Sequence, residues 1–198
     1  MTHQRIALFA ATLAFTAVFG GCASAPSHYY TLNATSTSSS VSAVRGNVSV
    51  GPVTVPASVD QPQFVTQASP NRVDVDEFNR WASPLSDNIA RVVAQNLVIL
   101  LGTPNVAIDP LANFIPNYAV AIDVQRFESV RGQRAYLVAV WTVRSTAVGG
   151  ATRSGRTEAN EPVSDDTFDA LAAAHSRALA MLSGNIADAV RAEAIAQP

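Results

Sequence analysis

The sequence predicts an α+β domain: a mixed, mostly antiparallel sheet with two helices packed on it. Three observations carry this. Only two segments, Leu85–Leu101 and Phe168–Val190, place apolar residues at spacings of three and four. Several shorter segments alternate with period two or are continuously apolar, and glycine- or proline-containing turns separate them. Two helices are too few for alternating βαβ winding, so they are expected to pack on a sheet of about six or seven strands.

Tyr29-Tyr30-Thr31-Leu32 is a compact β-favouring patch that reads as a first strand or as a segment docked on the domain. From Asn33 to Ala43 the chain is Ser/Thr-rich and cannot bury enough apolar surface to fold alone, which predicts a flexible tether. The folded body is expected from Asn47. Val48 and Val50 alternate, and Val53 and Val55 resume on the other parity. This phase shift at Gly51-Pro52 predicts a bulge, because proline cannot donate to a ladder. Phe64–Gln67 and Arg72–Asp76 read as two short strands joined by the turn chemistry of Ser69-Pro70-Asn71.

The first helix carries Leu85, Ile89, Val92, Val93, Leu97, Leu100 and Leu101 on one face. Ser83 is its expected N-cap with Pro84 at the first helical position, and Gly102 closes it. Tyr118 to Gln125 alternates as a half-buried strand. Tyr136 to Arg144 is apolar on both parities and predicts a central strand covered on both faces. The loop containing Gly132 joins the two. Gly149-Gly150 makes another turn, and Arg153–Glu161 reads as a polar edge strand. Ser164, Asp165 and Asp166 are placed to cap the second helix. Its stripe is Phe168, Leu171, His175, Leu179, Leu182, Ile186 and Val190, with Ser183-Gly184 as a bend or close contact.

The first 21 residues have the shape of a secretory signal peptide: Arg5, an apolar run from Ile6 to Phe19, then Gly20-Gly21. That run is shorter than the roughly 20 apolar residues a membrane span needs. The only cysteine, Cys22, follows at once, and the junction resembles a bacterial lipobox, with Phe19 and Gly20 departing from its usual Leu and Ala or Ser. With no second cysteine to pair with, Cys22 is assigned as the lipid attachment site. Three segments are therefore expected: signal peptide 1–21, lipidated N-terminus and tether 22–46, and domain 47–198.

Removing 21 residues from 198 leaves 177, enough for one domain and one core. The net charge of −2 becomes −3 without Arg5, which does not suit nucleic acid. All basic side chains are arginine.

Catalytic motifs are missing from the sequence. There is no nucleophile elbow, phosphate loop, zincin motif or metal-ligand spacing, so no catalytic residue, cofactor or metal is expected. His175 falls on the apolar stripe and reads as a core histidine. Asp74 and Asp76 are placed to share a strand face, but a solvated strand end explains them better than a paired-carboxylate site. The segment from Asn71 to Leu85 brings Arg72, Phe78, Arg80 and Trp81 together ahead of a helix. It has two readings: the aromatics staple the chain to the core, or the four residues form a partner surface, since Trp and Arg are common interface anchors.

Four ordered pieces carry a family resemblance. They are Tyr29-Tyr30-Thr31-Leu32 after the cysteine; Val50-Gly51-Pro52-Val53-Thr54-Val55-Pro56; Asp60-Gln61-Pro62-Gln63-Phe64-Val65-Thr66 followed by Asn71-Arg72-Val73; and Glu77-Phe78-Asn79-Arg80-Trp81-Ala82-Ser83-Pro84-Leu85 with Asn96-Leu97. Together they resemble the PqiC-like (YmbA-type) lipoproteins, auxiliary components of certain ABC-type transport systems. Gln61 and Ser83 depart from the arginine and glutamate common there. The resemblance implies a non-catalytic outer-membrane lipoprotein facing the periplasm. Its implied partners are a membrane-anchored MCE-domain (PqiB-like) protein of an intermembrane lipid-transport system and further copies of itself in a homo-oligomer. Ala23, in place of aspartate after the cysteine, is compatible with outer-membrane delivery. A competing reading is a periplasmic lipid-binding module that holds acyl chains between sheet and helices.

Overall fold

The computed structural model describes residues 25–38, 43–108 and 113–196. In chain order its elements are β1 (His28–Tyr30), β2 (Val48–Thr54), β3 (Gln63–Ser69), β4 (Arg72–Trp81), α1 (Leu85–Leu101), β5 (Val106–Ala107), β6 (Tyr118–Val130), β7 (Arg134–Ser145), β8 (Thr152–Pro162) and α2 (Phe168–Ala196). The α+β class stands, but the strands divide into two sheets. One has order β1-β4-β3 and the other β5-β2-β6-β7-β8. The larger sheet is antiparallel from β6 to β8 and parallel where β2 meets β5 and β6.

The phase shift at Gly51-Pro52 is a register break between Val50 and Val53 against β6, and the Gly51–Pro52 peptide is cis. A second break in β6, between Val124 and Arg126, moves the buried parity from Val120, Ile122 and Val124 to Phe127 and Ser129. α1 and α2 cover this inner face. Leu85, Ile89, Val93, Leu97, Leu171, Leu179, Leu182, Ile186 and Val190 are essentially inaccessible to solvent. The sheet face that an acyl chain would need is thus filled by helix side chains.

Three expectations change. β7 is central, but its second face is not covered by another layer. Val138 is 1% exposed there, flanked in register by Arg126 and Glu158, whose long side chains can shield it. Arg126 pairs with Glu128 at 2.7 Å and stacks over Tyr136, whose hydroxyl donates to Glu158. The helix caps also shift. Pro84, not Ser83, is the N-cap of α1, and Ser83 makes no capping bond. At α2, Thr167 Oγ1 accepts the Ala170 N–H at 3.1 Å, while Asp165 acts one step earlier by accepting the Thr167 N–H. Gly102 does close α1, with φ of 65°.

The third change concerns the tether. β1 pairs in parallel with β4, matching Tyr30 to Trp81, and Leu32 is fully buried. Beyond it, the Asn33 N–H donates to Ser176 Oγ, and the Thr35 and Ser36 N–H groups donate to Asn96 Oδ1. The expected free tether from Asn33 is therefore a docked strap through at least Ser36. Its Ser/Thr composition offers little apolar surface, but polar side chains on both helices satisfy its backbone. Ser39 to Ser42, in the middle of the expected tether, lie outside the described residues, as do Cys22 and the signal peptide.

Gly155 faces Trp141 across the β7–β8 ladder, and a Cβ built on it would lie 2.2 Å from the indole Cζ2. The indole N–H donates to Thr157 Oγ1 at 3.0 Å, so the ring cannot slide without losing that bond. Gly155→Ala is expected to destabilise by about 1–3 kcal/mol, read as a lowered urea midpoint at unchanged slope.

Candidate functional site

The segment Asn71–Leu85 is divided by the fold into an aromatic core, an outward bulge and a groove. Phe64 stacks on Trp81 at 4.3 Å and meets Phe168 at 5.0 Å and Tyr30 at 5.8 Å. Trp81 reaches Phe127 at 6.1 Å, and Phe127 stacks on His175 at 3.7 Å. This chain of rings joins the small sheet to the large sheet and α2. Trp81 is 5% exposed, so it is not the surface anchor of the partner-surface reading; it staples the chain to the core. Phe64 on β3 supplies the ring on which Trp81 packs.

The other three candidates remain on the surface but apart in role. Arg72 lies at the hairpin end, loosely paired with Asp74 at 3.8 Å. Arg80 is tied to its own segment: Nε donates to the Glu77 carbonyl, and Nη2 lies 3.3 Å from Glu77 Oε2. Phe78 is 46% exposed. It sits in a bulge, since Gln63 pairs with Arg80 and Phe64 with Asp76, so the ladder with β3 skips Glu77, Phe78 and Asn79. Asp76 Oδ1 holds the bulge by accepting the Phe78 and Asn79 N–H groups and the Asn79 side-chain amide. Partial burial alone would raise the Asp76 pKa, but those hydrogen bonds outweigh it and hold the carboxyl below its ordinary value. Asp76 is thus tied to the bulge, whereas Asp74 lies 3.8 Å from Arg72 Nε on the exposed hairpin.

Beyond Trp81 lies a groove of about 410 Å³ lined by Asp60, Gln61, Pro62, Trp81, Ala82, Ser83, Pro84 and Leu85. Two backbone bonds shape it: the Trp81 N–H donates to the Pro62 carbonyl, and the Ala82 N–H to the Tyr30 carbonyl. Two of the four segments that carry the family resemblance line it, and the Tyr30 carbonyl of a third is bonded to Ala82 at its edge. Gln61 and Ser83, the two departures, are both at its wall.

The fold also assembles a pair that sequence reading did not find. Ser129 Oγ and His175 Nε2 share a 2.8 Å hydrogen bond. The pair cannot act as nucleophile and base. Ser129 is 2% exposed and His175 is fully buried. Phe127 covers the imidazole face, and Nδ1 has no partner to orient it. Burial lowers the His175 pKa from 6.5 to about 3. A folded pKa below the unfolded one means that the unfolded chain binds the proton first. Stability is therefore complete above about pH 6.5 and falls as pH drops towards 3, at up to about 1.4 kcal/mol per pH unit. His175→Gln is expected to flatten the slope of unfolding free energy between pH 6.5 and pH 4, measured by urea titration at each pH. No group of three or more metal-ligating side chains occurs among the described residues, and no described helix is long and apolar enough to cross a membrane.

The family model for the ABC-type transport auxiliary lipoprotein component matches residues 30–187. No curated protein matches the chain. Among solved structures, an uncharacterized protein aligns at a TM-score of 0.64 and 21% identity, over 84% of this chain and 99% of its own. A protein from Xanthomonas campestris aligns at 0.66 and 20% identity, over 84% and 96%. At these identities the structures support the fold alone. The match over 30–187 starts at Tyr30 in β1 and ends within α2, so it takes in the strap, both sheets and the groove. The chain belongs to the ABC-type transport auxiliary lipoprotein component family.

Proposed function

We propose that this protein is an outer-membrane lipoprotein, acylated at Cys22 and facing the periplasm. It acts without catalysis as the accessory of an MCE-type intermembrane lipid-transport system. The partner is a membrane-anchored MCE-domain protein of the PqiB-like kind, bound by the groove between Pro62 and Pro84, and self-association would multiply such grooves. The observation that carries this reading is the meeting of two family-resembling segments at one open, largely apolar groove. Exposed Pro62, Ala82 and Pro84 lose little side-chain entropy when covered, which suits a docking surface. The buried state of the Ser129–His175 pair favours docking over hydrolysis. No observation favours the acyl-binding module, because helix side chains fill the space it would use.

The test is photocrosslinking in native membranes from a reactive side chain at Ser83 or Gln61, with Asp188 on α2 as control. Adducts with an MCE-domain protein are expected from the groove positions alone. Such adducts from Asp188 with none from the groove would contradict the surface. Ser83→Arg, which adds charge and bulk at the groove wall, is expected to reduce recovered partner about tenfold, equivalent to ~1.4 kcal/mol, without moving the unfolding midpoint.

A further inference from the structure

The lipid anchor is closer to the domain than the sequence suggests, and this fixes which face meets the membrane. The Ser/Thr-rich segment lies after β1, so it does not separate the lipid from the fold. Five residues, 23–27, lie between Cys22 and His28, the first residue of β1. Fully extended, that stretch reaches about 20 Å. β1 is locked to the domain, with His28 in register with Asn79 and the Tyr30 hydroxyl donating to Asn79 Oδ1 at 2.7 Å. A diacylglycerol on Cys22 therefore draws the His28–Asn79 end of the small sheet towards the bilayer. At that end the fold presents two unburied aromatic rings: Tyr29, 65% exposed, and Phe78, 46% exposed. Phe78 precedes Asn79 in the bulge, and Tyr29 follows His28. Neither takes part in the ring contacts of the aromatic core among the described residues. The Asp76 carboxylate spends three hydrogen bonds on holding Phe78 outward. Tyrosine is enriched at the boundary between headgroups and acyl chains, and exposed phenylalanine gains by burial there.

We infer that Phe78 and Tyr29 form a membrane-contacting edge that seats the domain on the phospholipid surface beside its own lipid anchor. The inference rests on the acylation of Cys22 proposed above. It assigns Phe78 to the bilayer and leaves the groove, at the far end of β1 beyond Trp81, for the protein partner. A second signal of this kind adds to the acyl chains in anchoring and removes rotational freedom about the short leash.

Acylation consumes the only thiol, so a cysteine introduced elsewhere can be labelled uniquely. The experiment uses the full-length lipidated protein in vesicles of phosphatidylethanolamine and phosphatidylglycerol, with mass spectrometry of the Cys22 peptide as a first step. A polarity-sensitive fluorophore is placed at Phe78→Cys, Tyr29→Cys or Met181→Cys, the last on exposed α2 surface. Each variant is checked for native circular dichroism. Blue-shifted emission and several-fold stronger quenching by brominated lipid at the first two positions than at Met181 are expected. Equal quenching at all three in acylated protein would overturn the membrane edge alone. An unacylated Cys22 would overturn the anchor reading and this orientation with it.

Discussion

Phe64→Ala is expected to be the most damaging single substitution in the domain, costing about 3–5 kcal/mol. Phe64 is fully buried and touches rings from three other elements: Tyr30 of β1, Trp81 of β4 and Phe168 of α2. The two sheets share no ladder among the described residues, so side-chain packing holds them together, and this ring cluster is a central part of it. A loss of that size is a third or more of the ~5–15 kcal/mol that stabilises a typical domain. Phe78→Ala, by contrast, should move the urea midpoint little, because the ring is held outside the core. Equal losses at Phe64 and Phe78 would contradict the assignment of one aromatic to the core and the other to the surface.

The second large effect is expected at Asn96. Its side chain is fully buried in α1 and serves three elements. Oδ1 accepts the Thr35 N–H at 3.1 Å and the Ser36 N–H at 3.0 Å, and Nδ2 donates to Ser183 Oγ of α2 at 3.3 Å. Asn96→Ala should cost about 1–3 kcal/mol and release the strap. Hydrogen exchange distinguishes this from general destabilisation: the Thr35 and Ser36 amides should exchange fast while the α1 amides beyond the strap stay protected. Unchanged protection at Thr35 and Ser36 would show that Leu32 and the Ser176 contacts hold the strap without Asn96. Arg91 reinforces the same strap by donating to the Leu32 carbonyl at 2.8 Å.

Regular periodicity made most of the fold legible. The α2 stripe from Phe168 to Val190 is buried as its spacing required, and the parity change at Gly51-Pro52 is a true register break. What sequence did not disclose depends on partners remote in the chain. The strap looked like a tether because composition counts only what a segment can bury, not what Asn96 and Ser176 can donate to or accept from it. β7 looked doubly covered because Val138 is flanked by long arginine and glutamate side chains on neighbouring strands. Ser129 and His175 lie on different elements, and no local motif joins them. The Arg72–Trp81 cluster was legible as a special region but not as three separate parts, since a bulge at Glu77–Asn79 decides which aromatic turns inward.

We propose that this domain is a docking accessory held at a membrane, neither an enzyme nor a lipid carrier. The most direct test is affinity purification of the lipidated protein from its own membranes, with mass spectrometry of co-eluting proteins and lipids. An MCE-domain protein is expected in the eluate, reduced by Ser83→Arg, with no stoichiometric bound lipid beyond the Cys22 anchor. Stoichiometric free lipid without a protein partner would contradict it.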